Sequence, residues 1–147
     1  MLVLLVLASC AAPGESTPGR STPPGTTPSG TTAAGLVGAV RTGGFAGVRD
    51  TLVVQPDGRW RRTRRTAAAE SGRLTGPQLE QLRRLAADPR LAAEAARTPP
   101  PTSCLDAFSY AVTVAGTTVD YIDCPTDPDR PEAAVALVRL LAGATRW

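Results

Sequence analysis

The sequence predicts an α+β fold, in which an antiparallel sheet of four to five strands carries two to three helices packed on one face. Larger apolar residues alternate with smaller or polar ones on both sides of Ala115-Gly116, as in a hairpin with a two-residue loop. Leucines recur at helical spacing in 79–85, and apolar residues do so in 134–141. The predicted order is three strands, a helix, a short helix, two strands and a last helix. Layers of such elements around one core define the α+β class.

The composition restricts the function before any motif is considered. All sixteen basic residues of this 147-residue chain are arginine, and histidine, lysine and asparagine are absent. The commonest general base and the commonest metal ligand are therefore missing. No nucleophile with a nearby base, phosphate loop or metal cluster is visible. We therefore expect no enzyme activity, no cofactor and no metal. The net charge of +3 is too small to indicate nucleic acid as a partner.

The first ten residues form an uncharged apolar run that ends in Leu7-Ala8-Ser9-Cys10. The run is too short to span a bilayer, which takes about 20 residues, but it fits the end of a secretory signal. Its last four residues resemble the bacterial lipobox, in which the cysteine is acylated and becomes the mature N-terminus. The resemblance implies a signal peptide over 1–9, lipidation at Cys10 and a place on the outer face of the bacterial cytoplasmic membrane. No Lys or Arg precedes the run, so the alternatives are a start further upstream or a fortuitous apolar N-terminus.

Residues 11–35 consist almost wholly of Pro, Gly, Ser, Thr and Ala. Such a segment has little apolar surface to bury and cannot offset the entropy lost on ordering, so the sequence predicts a disordered tether over 10–35. A flexible coil of this length spans roughly 25 to 30 Å. The predicted organisation is a signal peptide, this tether and a single α+β domain over 36–147.

A glycine-rich loop lies between the first two predicted strands, 36–40 and 49–54. Glycine reaches positive φ without a steric penalty and lets the backbone approach another molecule closely. Phe45 is the only large side chain in the loop. One interpretation is a turn with Phe45 packed in the core, and the other is a presented recognition loop. The second interpretation makes the following residues partner-binding: Gly43, Gly44, Phe45, Ala46 and Gly47.

The third predicted strand, 59–66, follows a turn at 55–58 and carries arginine on both faces. A strand charged on both faces is not central in a sheet, so we place it at an edge, where charge protects against edge-to-edge pairing. The alternative is a binding patch for an anionic envelope polymer or membrane lipid, formed by Arg61, Arg62, Arg64 and Arg65. Stacking on nucleobases would require repeated aromatic residues, which this segment lacks.

Helix boundaries follow from local signals. Thr75 and Gln78 stand in the capping-box relation, which marks the start of the first helix. Asp88-Pro89 separates this helix from a short one over 90–96. In the last helix, Asp129 and Glu132 are placed to cap the start, and Gly143 to end it.

Cys104 and Cys124 bracket the second hairpin and are the two cysteines that remain after Cys10, the even count expected of an exported domain. The two-residue loop sets Val112 opposite Val119 and Tyr110 opposite Tyr121. In this register Cys124 faces Ala107, close enough to Cys104 for a disulfide if the intervening chain bends back. Two thiols without histidine leave too few ligands for a metal. We expect Asp106, Asp120 and Asp123 to be solvated or paired with arginine.

Two motifs in this element order carry a family resemblance: Thr42-Gly43-Gly44-Phe45-Ala46-Gly47 and Asp106-Ala107-Phe108-Ser109-Tyr110. The chain from Val37 to Leu141 resembles the emfourins, small proteinaceous inhibitors of thermolysin-like metallopeptidases. The resemblance implies exposed loops that enter or cover the cleft of such a peptidase and are not productively cleaved. Separately, we expect the protein to be a monomer. Residues 43–47 are the contact that loop chemistry favours. The lipobox, the tether, the disulfide and the arginine-rich strand depart from the family pattern. The second hypothesis is a surface lipoprotein that binds an anionic polymer or lipid through that strand.

Overall fold

The computed structural model describes residues 35–147, which fold into six strands and three helices. The strands are β1 (Val37–Gly43), β2 (Val48–Val54), β3 (Arg59–Arg64), β4 (Glu70–Arg73), β5 (Phe108–Val114) and β6 (Thr117–Ile122). The helices are α1 (Gly76–Ala86), α2 (Arg90–Ala95) and α3 (Glu132–Thr145). The α+β class is confirmed, but the predicted count of four to five strands is wrong because the sheet has six. The predicted signal peptide, the predicted lipidation site Cys10 and the predicted tether up to residue 34 lie outside the described residues.

The six strands form one sheet in the order β4-β3-β2-β1-β5-β6, and every neighbouring pair is antiparallel. The predicted register of the second hairpin is confirmed, since Val112 pairs with Val119 and Tyr110 with Tyr121. The two tyrosine rings stack with their centroids 5.2 Å apart. Such a cross-strand aromatic pair contributes about 0.2 to 1 kcal/mol to the sheet.

Alternate residues of the strands form the core together with the helices. The fully buried members include Val37, Leu52, Val54, Val112 and Val119 from the sheet and Leu82, Leu137 and Leu141 from α1 and α3. Burying one such side chain stabilises the fold by about 1.5 to 3 kcal/mol. Residues at the intervening positions of the strands are half-buried or exposed. The sheet therefore has one face against the helices and one open face.

The arginine-rich strand is not at the edge of the sheet, contrary to the sequence prediction. β3 pairs with β2 on one side and with β4 on the other, so the short strand β4 is the edge. Four residues that include a glycine carry little strand propensity, which is why the pattern did not reveal β4. The glycine has a packing role, because a Cβ at Gly72 would lie 2.6 Å from the ring of Trp60.

The helix ends are partly those predicted. The capping box of α1 is confirmed, with the Thr75 side chain accepting from the Gln78 N–H and the Gln78 side chain accepting from the Thr75 N–H. No side chain caps α3 at its N-cap residue Pro131, so the proposed caps Asp129 and Glu132 are wrong. Gly143 does not end α3, which continues to Thr145.

None of the helices within 35–147 is long and apolar enough to cross a membrane.

Candidate functional site

The glycine-rich loop forms the tip of the β1–β2 hairpin. Gly43, Gly44 and Gly47 have φ values of 91°, 68° and 58°, a region that favours glycine over residues with a Cβ. The Gly47 N–H donates to the Gly44 carbonyl at 3.0 Å and closes the turn. Phe45 is 95% exposed, so the interpretation that placed its ring in the core is wrong.

A second loop lies directly beside this turn. β1 pairs with β5, which sets Gly43 opposite Phe108. The Gly44 N–H donates to the carbonyl of Ala107 at 3.3 Å, and a Cβ at Gly44 would lie 2.6 Å from the Phe108 ring. The two motifs that suggested the emfourin resemblance are therefore neighbours in space, although about 60 residues separate them in the chain.

Leu105, in this second loop, is 92% exposed. Within 35–147, Phe45 and Leu105 are the two large apolar side chains that project into solvent. Sequence reasoning missed Leu105 because the residues between Cys104 and β5 follow neither a strand nor a helix period. The predicted register did place Cys124 opposite Ala107. That placement was the sequence signal that could have drawn attention to the loop containing Leu105. We call residues 43–47 and 104–107 together the tip.

A disulfide anchors the second loop of the tip. The predicted bond between Cys104 and Cys124 is confirmed, with the two Cα atoms 5.7 Å apart. At the other end of the loop, the Asp123 N–H donates to the Phe108 carbonyl at 2.8 Å. Between these ties Asp106 has a φ of 56°, in the left-handed region that aspartate adopts more readily than most non-glycine residues. The loop is therefore fixed at both ends while Leu105 stays exposed.

Arg41 lies beneath the tip, where an ion pair and two aromatic rings hold its guanidinium. Its Nη2 donates to Oδ2 of Asp50 at 2.5 Å, and Asp50 is buried. Its guanidinium carbon lies 5.0 Å from the centroid of the Phe108 ring and 5.4 Å from that of Trp147. These cation–π contacts and the ion pair stabilise the base of the tip. Arg41 therefore has a packing role here and is not presented to a ligand.

The structure divides the predicted arginine patch. Arg62 points into the core, is 3% exposed, and donates to the carbonyls of Thr145 at 3.3 Å and Arg146 at 2.6 Å. It also pairs with Glu70, which Arg64 contacts at 3.4 Å. Arg61 and Arg65 are exposed. The four arginines therefore do not form one surface, because alternate residues of a strand face opposite sides of the sheet.

Outside the tip, the described chain has further carboxylates near α2 and β6. No three Cys, Asp or Glu side chains within 35–147 are placed to hold a metal ion. Asp123 accepts from Arg130 Nη2 at 2.5 Å, so it is paired with arginine as expected. A cavity of 540 Å³ lies between α2 and β6. Its Glu94 accepts from the backbone of α3 and its Arg130 is held by Asp123. Four further charged residues line the cavity, namely Arg97, Asp120, Asp127 and Asp129.

Comparison with known proteins finds no match, either among protein-family models or among curated proteins. The tip is therefore the feature from which a function is inferred. It combines two exposed apolar side chains with glycine backbone that a partner can approach closely. Such a surface is suited to binding another protein.

Proposed function

We propose that this protein is an emfourin-like inhibitor whose tip occupies the cleft of a thermolysin-like metallopeptidase. The observation that carries the proposal is the exposure of Phe45 and Leu105, at 95% and 92%, on two loops that hydrogen-bond to each other. In this proposal the chain has no catalytic activity of its own, uses no cofactor and acts as a monomer.

The two side chains would act as anchors in apolar subsites of the cleft. Moving a Phe or Leu side chain from water into an apolar pocket is favourable by about 1.5 to 3 kcal/mol. Aromatic residues are enriched among those that dominate binding energy. The glycines beside Phe45 add no side chains, so the backbone of the hairpin can enter a narrow cleft.

The rigidity of the tip supports inhibition over cleavage. The turn is closed by its own hydrogen bond and is joined to the second loop by the bond from Gly44 to Ala107. The disulfide holds the start of that second loop. A loop that is already ordered loses less entropy on binding, and one that cannot extend is a poor substrate.

The position of the tip is also compatible with a membrane anchor. In the proposal, acylated Cys10 and the tether over 10–35 hold the domain at the outer face of the bacterial cytoplasmic membrane. The tether enters β1 at its first residue, Val37, whereas the tip begins at its last, Gly43. At 3.3 Å per residue these ends are roughly 20 Å apart. The tip is thus presented away from the point of attachment.

An inhibition assay tests the proposal. The full chain carrying Cys10→Ser is mixed with several thermolysin-like peptidases, and residual activity is measured against inhibitor concentration. We expect inhibition below micromolar concentration, and Phe45→Ala or Leu105→Ala should each weaken it by roughly tenfold to a hundredfold. The control Arg84→Ala changes an exposed residue of α1 and should leave inhibition unchanged.

Both tip substitutions should leave the unfolding midpoint unaltered, because the replaced side chains make few contacts. Lost inhibition would then report lost contact with the peptidase. The absence of inhibition at micromolar concentration against several such enzymes would contradict the proposal.

A further inference from the structure

The open face of the sheet carries a concentration of positive charge that the sequence pattern did not reveal. Four arginines from three adjacent strands lie on this face: Arg49 of β2, Arg59 and Arg61 of β3, and Arg73 of β4. The registers establish the shared face, since Arg61 is paired with Val53 and Ser71, and Arg59 with Arg73. All four arginines are exposed. Hydroxyl-bearing residues stand between them, namely Thr42, Thr51, Thr63 and Ser71.

Little negative charge offsets these arginines. Across β1 to β4 the open face carries no carboxylate, because Asp50 is buried on the other face and Glu70 pairs with Arg62 there. Asp57, in the turn at the rim, contacts Arg59 at 2.8 Å and Arg73 at 3.8 Å. Four arginines and one carboxylate leave a local net charge of +3 across β2 to β4. The exposed carboxylate of Asp120 lies on the same face but on β6, at the edge of the sheet opposite β4.

We propose that this arginine face, defined by Arg49, Arg59, Arg61 and Arg73, docks on the anionic headgroups of a lipid bilayer. Guanidinium groups bind phosphate oxygens in a bidentate manner, and the interleaved hydroxyls are further donors to the same oxygens. The described part of the face lacks aromatic side chains, which disfavours single-stranded nucleic acid as the ligand.

This inference does not depend on the inhibitor proposal. The arginine face lies on one side of the sheet, and the tip lies at one end of the strands. Docking through the face would leave Phe45 and Leu105 accessible. The two activities can therefore be lost separately by substitution.

Vesicle binding tests the inference. The full chain carrying Cys10→Ser is mixed with vesicles of phosphatidylcholine alone or with one-third phosphatidylglycerol, and the bound fraction is measured by sedimentation. We expect tighter binding to the anionic vesicles than to the neutral ones. This gain in binding should diminish as the salt concentration is raised. Each arginine near an anionic surface contributes roughly a fivefold change in binding, so Arg49→Ser with Arg61→Ser should reduce the gain about 25-fold.

A matched double variant controls for net charge. Arg84→Ser with Arg139→Ser removes the same charge from exposed positions on α1 and α3 and should keep most of the gain. The apolar run at 1–10 is common to all variants, so its contribution cancels in the comparison. Circular dichroism verifies that both double variants are folded.

Three outcomes would overturn the inference. The first is equal binding to the two kinds of vesicle. The second is an equal loss of binding to anionic vesicles in the two double variants, which would show that net charge and not the arginine face determines binding. The third is tight binding to soluble polyphosphate without a gain on anionic vesicles, which would make the ligand a polymer. Peptidase inhibition, measured on the same variants, should be unaffected by Arg49→Ser with Arg61→Ser.

Discussion

At the scale of single residues, Arg62 explains how a strand with arginine on both faces lies inside the sheet. Its guanidinium donates to the last carbonyls of α3 and pairs with Glu70 of the neighbouring strand. A positive charge at the C-terminal end of a helix is stabilised by the helix dipole. Buried Arg62 therefore has partners for its charge and for its Nη1 and Nη2 groups.

Arg62→Met should lower the free energy of unfolding by about 2 to 4 kcal/mol, because carbonyls at the end of α3 lose their donor and Glu70 loses its ion pair. Urea denaturation measures the change. The adjacent Arg61→Met, on the open face, should alter stability by about 0.5 kcal/mol or less. Equal effects of the two substitutions would show that Arg62 is not an internal anchor.

The buried tyrosines predict a pH dependence confined to the alkaline side. Burial raises the pKa of Tyr121 strongly, and burial also raises that of Tyr110. A pKa raised in the folded state means that stability is complete below the unfolded value of about 10 and is lost as the pH rises beyond it. The chain contains no histidine or lysine, so neither residue type contributes to the pH dependence of its stability.

The melting temperature should therefore be nearly constant from about pH 7 to 9 and should fall above about pH 10. Tyr121→Phe removes the hydroxyl that titrates and should make the alkaline fall less steep. Thermal scans of both proteins across this range check the expectation. A fall that begins below about pH 8, or an unchanged slope in the variant, would contradict it.

At the scale of elements, the two longer helices begin in different ways. α1 is capped by residues within its own first turn, as Thr75 and Gln78 exchange hydrogen bonds with the backbone. α3 is capped from α2, because the Glu94 carboxylate accepts from Ala133 N–H at 2.9 Å and from Ala134 N–H at 3.0 Å. A carboxylate at this end of a helix also complements the dipole. Glu94 thereby joins α2 to α3.

Glu94→Ala should lower the free energy of unfolding by about 2 kcal/mol, since it leaves two buried N–H groups without an acceptor. Asp129→Ala removes the residue that the sequence pattern marked as the cap. It should change stability by about 0.5 kcal/mol or less, because Asp129 is exposed and does not cap α3. Chemical denaturation of both variants decides between the local and the distant cap.

At the scale of the whole molecule, the tip is assembled by the pairing of β1 with β5. These strands are far apart in the chain, and their register brings Gly43 to Phe108. The disulfide then ties the start of the second loop to the chain that follows β6. Neither loop alone contains both exposed apolar side chains, so the candidate site exists only in the folded sheet.

Cys104→Ser with Cys124→Ser should lower the free energy of unfolding by roughly 3 kcal/mol, the chain-entropy value for a loop of about 20 residues. Amide hydrogen exchange in 103–107 should become faster, whereas exchange in β2 should change less. Cys10→Ser is the control. A double variant that is as stable as the parent and equally protected in this segment would show that the disulfide does not hold the tip.

The residue pattern was enough to predict features whose partners are close along the chain. The capping box of α1 spans four residues, and a two-residue loop aligned Tyr110 with Tyr121. Cys104 and Cys124 were the two cysteines left after Cys10, and that register placed them close enough to bond if the chain before β5 bends back. These interactions depend on local backbone geometry, so their residue patterns are sufficient to predict them.

Features whose partners are distant in the chain became apparent only in the folded protein. The interior place of β3 depends on β4, the cap of α3 depends on Glu94, and the charge of the open face depends on which strands are adjacent. The exposure of Leu105 beside Phe45 depends on the pairing of β1 with β5. The physical reason is that a side chain is stabilised by whatever surrounds it, and the chain must fold before those surroundings exist.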